Sequence, residues 1–319
     1  MNIAITGGTG FLGLRLARAL LANGIADESG ETGPVSNIVL ADRAPSHVIA
    51  DDRVDQRIGD ITDPAFVASI VAEADLIYHL AAVVSGEAEA DFDLGMRVNV
   101  DASRLLLEAC RANGRRQRLV FTSSVAVFGP ANGEAEPEVA PMSSYGMEKA
   151  VAELMLRDYA RRGFVEGVVL RLPTISVRPG KPNKAASSFA SGIVREPLSG
   201  VLAQCPVPLE TVLWLLSPRK AIAALVHVAS LASAELERRR VINLPGISVT
   251  VAEMIAALGR QGGAEAAARV MMSPDPAVEK IVTSWPRRWD DAAARALGFE
   301  GDEDFDAVVR AYIEDEIGY

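Results

Sequence analysis

Gly7, Gly10 and Gly13 recur at every third position directly after a strand-like N-terminus, and that arrangement leaves few folds open. Asn2-Ile3-Ala4-Ile5-Thr6 reads as a strand, and a helical pattern begins within Gly7-Gly8-Thr9-Gly10-Phe11-Leu12-Gly13. The first glycine permits a tight turn, the second lets backbone amides approach a bound anion, and the third allows the helix to pack close to the strand. The helix then presents unpaired N–H groups and the positive end of its dipole, which suits a pyrophosphate. Gly7, Gly10, Phe11, Leu12 and Gly13 are therefore candidate cofactor-binding residues.

Short β-branched runs alternate with amphipathic stretches through the first half, the pattern of βαβ units on a parallel sheet. Strands are expected over 2–6, 37–41, near Arg57, and over 76–79, 119–122 and 167–170, with helices over 12–22, 64–72, 97–111 and 143–162. Polar residues 26–36 read as a surface insertion. After Pro173 six further prolines up to Pro218 break the pattern, before helices resume over 219–231 and 251–258. The fold class expected is α/β: a Rossmann-type doubly wound parallel sheet over 1–173, and a smaller, mixed substrate lobe over 174–319, part of whose chain returns to the sheet.

Composition removes several function classes. A net charge of −10 argues against a nucleic-acid binder, which needs a basic face. No apolar run reaches membrane-spanning length, and Asn2 to Thr6 reads as a strand with no signal-peptide pattern, so none is expected. Cys110 and Cys205 form no CxxC or framework, so a cytoplasmic location is expected. His47, His79 and His227 lack metal-ligand spacing, and no metal is expected. The stretch between Glu166 and Glu196 has no acid and carries Arg171, Arg178, Lys181, Lys184 and Arg195, a solvated basic loop or a site for an anionic small molecule.

Asp42 closes the second expected strand, where an acid can take both hydroxyls of an adenosine ribose, favouring NAD. Arg43 beside it could take a 2′-phosphate, which leaves NADP open. Asp60, followed by Ile61, is a candidate for the adenine edge, with helix N-capping as the plain alternative. Tyr145 and Lys149 lie four residues apart on one helix face, so an ammonium there could favour the phenolate and make Tyr145 a working base. Ser124 ends an expected strand and would point a hydroxyl into the ligand crevice.

Together, Gly7-x-x-Gly10-x-x-Gly13, the Ser124 segment and Tyr145-x-x-x-Lys149 resemble the extended short-chain dehydrogenases, the group that includes nucleotide-sugar epimerases and dehydratases. The resemblance implies proton transfer by Tyr145, with Lys149 holding the nicotinamide ribose and Ser124 polarising the substrate oxygen. It also implies that Leu80-Ala81-Ala82 passes beside the cofactor, that Asn99 fills the family's structural or catalytic asparagine, and that Pro173 touches the carboxamide. Homodimerisation through the helices over 97–111 and 143–162 is a further implication.

Two segments depart from the nucleotide-sugar enzymes: Thr174 stands where they carry an asparagine, and Ser217-Pro218-Arg219 replaces their Val-His-Val-Asp-Asp run. The runs from Leu170 to Ile175, from Val177 to Phe189 and from His79 to Glu89 instead resemble those of D-erythronate dehydrogenases. That resemblance implies oxidation of a four-carbon sugar acid at C2. An acid substrate needs a fixed cation, for which Arg178 and Arg219 are the candidates against plain surface solvation, with Ser85 for a substrate hydroxyl or as a loop cap. A nucleotide-sugar epimerase is the alternative, and an NAD-sensing regulator would have little need of Tyr145. Trp214, Trp285 and Trp289 read as packing residues, with Trp214 as the one that could shape a pocket.

Overall fold

A computed structural model of the chain describes residues 1–26, 31–46, 49–130 and 137–318. Seven parallel strands form the main sheet: β1 (Asn2–Thr6), β2 (Asn37–Asp42), β3 (Val54–Ile58), β4 (Leu76–His79), β5 (Arg118–Ser124), β6 (Glu166–Leu172) and β7 (Val241–Asn243). Their order is β3-β2-β1-β4-β5-β6-β7, so the order reverses between β1 and β4. The crevice at the carboxyl ends of those two strands is where an open α/β sheet takes its ligand.

Both faces of the sheet are covered, which is why its inner strands read as near-continuous apolar runs, whereas the edge strand β3 does not. Along β1 the side chains alternate. Ile3 and Ile5 pack with Leu16 and Leu20 of α1 (Phe11–Asn23) and with Leu225 and Val228 of the helix Pro218–Ser230. Ala4 faces the opposite layer, made by α2 (Pro64–Val71), α3 (Ala102–Asn113) and α4 (Ser144–Arg161). This is the period-two geometry of a strand serving two helical layers.

The chain after Pro173 serves two cores. Helix Pro218–Ser230 and β7 return to the main sheet, while helices Ser188–Leu198, Val251–Gly262 and Phe305–Tyr312 pack a second core. That second core lies against a three-stranded sheet of Thr174–Ile175, Val212–Leu216 and Ile247–Thr250. We propose describing the second lobe as discontinuous, since β7 pairs with β6 in parallel register.

The proline-rich stretch holds more regular structure than its sequence suggests. Pro197 falls in the last turn of Ser188–Leu198, where few backbone bonds remain for its missing N–H to remove, and the amide of Ser199 still reaches the Arg195 carbonyl at 3.2 Å. Within the 26–36 insertion, Ile25–Ala26 pairs antiparallel with Thr32–Gly33; residues 27–30, and His47, lie outside the described residues. Among the described residues no helix is long and apolar enough to cross a membrane.

Candidate active site

Backbone sterics explain the glycine loop. Gly7 has φ +69°, and a Cβ there would lie 2.9 Å from the Ala81 amide nitrogen. At Gly13 a Cβ would come within 2.5 Å of the Gly7 carbonyl oxygen. A side chain at either place would push α1 off the turn or close the gap to the Leu80–Ala81 segment. Gly10 is the N-cap residue of α1 and supplies no side-chain cap, leaving the first-turn amides to a ligand.

A cavity of about 340 Å³ opens from this loop. Asp42, Arg43, Asp60, Ile61 and the Leu80–Val83 segment are on its walls. Asp42 accepts the Thr9 amide at 3.1 Å and the Arg43 amide at 2.7 Å, which fixes its carboxylate beside the turn. Asp60 accepts the Thr62 amide and hydroxyl at 2.9 and 2.8 Å, and those bonds hold its carboxyl below the ordinary range. The capping alternative belongs to its neighbour: Asp63, accepting from Ala65, caps α2. The positive-φ turn, open helix N-terminus and acid-rimmed cavity fit a dinucleotide, with Gly7 and Gly10 toward the pyrophosphate and Asp42 toward the ribose. Phe11 opens α1 with its ring 5.1 Å from the Arg15 guanidinium, and lines neither cavity described here.

A second cavity, of about 210 Å³, continues between the lobes. Leu12, Leu80, Ala82 and Pro173 line it, as do Ser85, Ser124, Tyr145, Lys149 and Arg178. Ser124 is there because β5 ends on it; its hydroxyl accepts the Ala126 amide at 3.2 Å and shares the cavity with Tyr145. Tyr145 enters from the first turn of α4, which Ser143 caps through the Gly146 amide.

The surroundings of Tyr145 act on its phenol in opposite directions. Burial pushes its phenol up to about 12, while the Ser124 hydrogen bond and the Arg178 charge act in the opposite direction. Lys149 lies close to it on the same helix. Its ammonium donates to the Thr122 carbonyl at 3.0 Å and sits 4.7 Å from the Phe121 ring centroid and 5.8 Å from that of Tyr145. Burial lowers Lys149 to about 8, opposed by Glu148 and Glu153. Between about 8 and the ordinary lysine value of 10.5 the unfolded chain binds more protons at this residue than the native one. Its contribution to stability therefore rises with pH through that window. Urea unfolding of wild type and Lys149→Met at pH about 7.5 and about 10 should give a wild-type-minus-variant difference that grows with pH; a flat or falling difference refutes it.

Three expected site residues are elsewhere or do something else. Asn99 is buried behind the cleft: its side chain accepts the Val83 amide at 2.8 Å, returns a bond to the Val83 carbonyl at 3.0 Å, and donates to Glu148 at 2.6 Å. It sits in a π-helical turn, Met96–Asp101, and holds the 80–83 segment in place of touching the cofactor cleft. Arg219 is half-exposed and paired with Glu314 and Asp315 at 3.0 and 2.6 Å, away from the cavity, because the helix Pro218–Ser230 carries it toward the C-terminal acids. Ser85 is on the cavity wall, but its hydroxyl accepts the Ala186 amide at 3.1 Å and ties down the 185–187 segment.

Arg178 is the cation that the fold does bring to the site. Its amide donates to Ser191 at 3.0 Å and its carbonyl accepts from Arg195 at 2.7 Å, so its backbone is held from both sides. Its guanidinium Nη2 is buried with no hydrogen-bond partner among the described residues. Sequence reasoning passed over Trp285, which lines this cavity where Trp214 does not. It also passed over Glu148 and the buried pair Glu153–Arg171, for which no local motif exists. His79, bonded to Thr6 and Ser103, is held near 3 by burial and stays neutral. Among the described residues no group of three or more His, Cys, Asp or Glu is placed to hold a metal.

A doubly wound sheet with a glycine-loop crevice, and a serine, tyrosine and lysine on one cavity at its carboxyl edge, defines an extended short-chain dehydrogenase/reductase. The NAD dependent epimerase/dehydratase family matches residues 3–234, and the chain belongs to that family as an NAD-dependent oxidoreductase. It is similar to the D-erythronate dehydrogenases of Cupriavidus necator, 56% identical over 99% of this chain and 98% of that one, and of Haemophilus influenzae, 43% identical over 98% and 99%. Among solved structures, one described as the nucleoside-diphosphate-sugar epimerase from Agrobacterium tumefaciens superposes with TM-score 0.90 at 41% identity, covering 100% of this chain and 95% of that one.

Proposed function

We propose that this chain oxidises D-erythronate, a four-carbon sugar acid, at C2 to the 2-oxo acid, with NAD as the acceptor. The observation that carries the reading is the unpartnered Arg178 Nη2 on the cavity shared by Ser124 and Tyr145. A buried cation without a partner is costly, and a carboxylate offers the matching bidentate acceptor. The two D-erythronate dehydrogenases resemble the chain along its whole length, which supports the same reading.

Bound NAD supplies the hydride acceptor, held by the glycine loop, Asp42, Lys149 and Pro173. Arg178 anchors the substrate carboxylate, which brings C2 and its hydroxyl toward the Ser124–Tyr145 end of the cavity. Ser124 holds the hydroxyl oxygen, and Tyr145 as phenolate takes its proton while the C2–H bond breaks. The fixed cation and hydroxyls align the bond to be broken before the chemistry starts.

The structural likeness to a protein described as a nucleoside-diphosphate-sugar epimerase supports a second reading, in which the same residues act with no net redox change. Absorbance at 340 nm separates the two. With NAD and four-carbon sugar acids beside UDP-sugars, the expected result is NADH formation from D-erythronate; isomerisation of a UDP-sugar without NADH release would overturn the reading. A cytoplasmic homodimer through α3 and α4, where Leu154 is largely exposed, completes the proposal.

A further inference from the structure

The three tryptophans differ in what their indole N–H groups meet. Trp289 donates to the Leu244 carbonyl at 2.8 Å. Trp214 and Trp285 both have a buried Nε1 with no partner among the described residues. At Trp214 the indole is pressed against Gly246, where an added Cβ would lie 2.8 Å from Nε1, and the ring is absent from the substrate cavity. Trp285 is on that cavity, together with Arg178, Ser124 and Tyr145.

Its position is built. Trp285 follows the helix Pro276–Thr283, and its amide bonds the Val282 carbonyl at 3.3 Å. The ring packs against the second-lobe core and also against the cluster of Val125, Val127, Phe128, Trp214 and Trp289 that backs the Ser124 segment. A side chain wedged between two cores has little freedom to move aside for a ligand. Arg178 and Trp285 thus border one cavity, and each carries a buried donor, Nη2 and Nε1, that has no acceptor among the described residues; a donor left unmade in this way is costly until an acceptor arrives.

We propose that Trp285 is a specificity-determining residue: its N–H is the second donor, after Arg178, to the oxygens of the substrate acid, and its ring is the wall that limits the carbon chain. This rests on the sugar-acid reading above and adds to it the group that selects length. A polyhydroxy acid brings many acceptors and little apolar surface, which suits a rigid wall with one directed donor.

Two variants test it with NAD and a panel of three-, four- and five-carbon sugar acids. Trp285→Phe keeps an aromatic wall, though one smaller than the indole, and removes the donor, so the KM for D-erythronate should rise about tenfold or more while kcat and the KM for NAD hold within about threefold. Trp285→Leu opens the wall, so kcat/KM for the five-carbon acid relative to D-erythronate should rise about tenfold. That ratio does not depend on how much variant folds. An unmoved KM in Trp285→Phe, or an unmoved ratio in Trp285→Leu, overturns the proposal while leaving the sugar-acid reading intact. If wild type oxidises none of the acids, the sugar-acid reading fails and this inference fails with it.

Discussion

Tyr145→Phe is expected to bind NAD as wild type does and to lose about 10²- to 10⁴-fold in kcat, the range for removing a general base. The ring stays, so the first turn of α4 and its Ser143 cap keep their packing. What goes is the phenol oxygen, whose ionised form Ser124 and the Arg178 charge favour against burial. With burial pushing the phenol up to about 12, rate in the wild type should climb with pH as more phenolate forms, and the variant should lose that climb. Steady-state kinetics from pH about 7 to about 10, with cofactor binding read separately by fluorescence, distinguish this from misfolding. A variant within a few-fold of wild type would remove Tyr145 from the chemistry and leave Ser124 or a solvent base to be tested in its place.

The second large effect is on stability. Arg171 of β6 reaches Glu153 of α4 through Nε at 3.0 Å and Nη2 at 2.6 Å, and Ser123 of β5 donates to the same carboxylate. The guanidinium also stacks 4.8 Å from the Phe128 ring. Both charged groups are buried, so Arg171→Met strands a carboxylate in the interior and should cost about 3–5 kcal/mol in urea unfolding. The double variant Arg171→Met, Glu153→Met removes both charges and should recover most of that loss, since an apolar pair of similar volume is often neutral or better. A single variant as stable as wild type, or a double variant worse than the single, refutes the account. Because Ser123 precedes Ser124 and α4 carries Tyr145 and Lys149, the single variant should lose activity along with stability.

Residues legible in advance share one property: their geometry follows from spacing within a single element. The glycine turn, Asp42 at the end of β2, Ser124 at the end of β5 and the Tyr145–Lys149 pair on α4 are fixed relative to their own strand or helix. Parallel pairing then brings those strand ends to one edge without further information. The Ser188–Leu198 helix was hidden because proline statistics describe helix interiors, and Pro197 sits at an end.

Arg178 and Arg219 were equivalent candidates in the sequence, and among the tryptophans it was Trp214, not Trp285, that stood out for a pocket. Only the docking of the second lobe separates the two arginines. It leaves Arg178 buried without an acceptor at the cavity and carries Arg219 to the acids of the C-terminal segment. The same docking brings Trp285, distant in the chain, to the wall that Ser124 and Tyr145 share. The electrostatics of the pair on α4 were decided the same way. Four-residue spacing places an ammonium near a phenol, but burial and the Thr122 carbonyl determine which charge each one feels. Local periodicity and turn chemistry thus determined the fold class, the cofactor loop and the reacting pair. Desolvation and partner choice, which depend on every element packed around a group, determined the substrate end of the site.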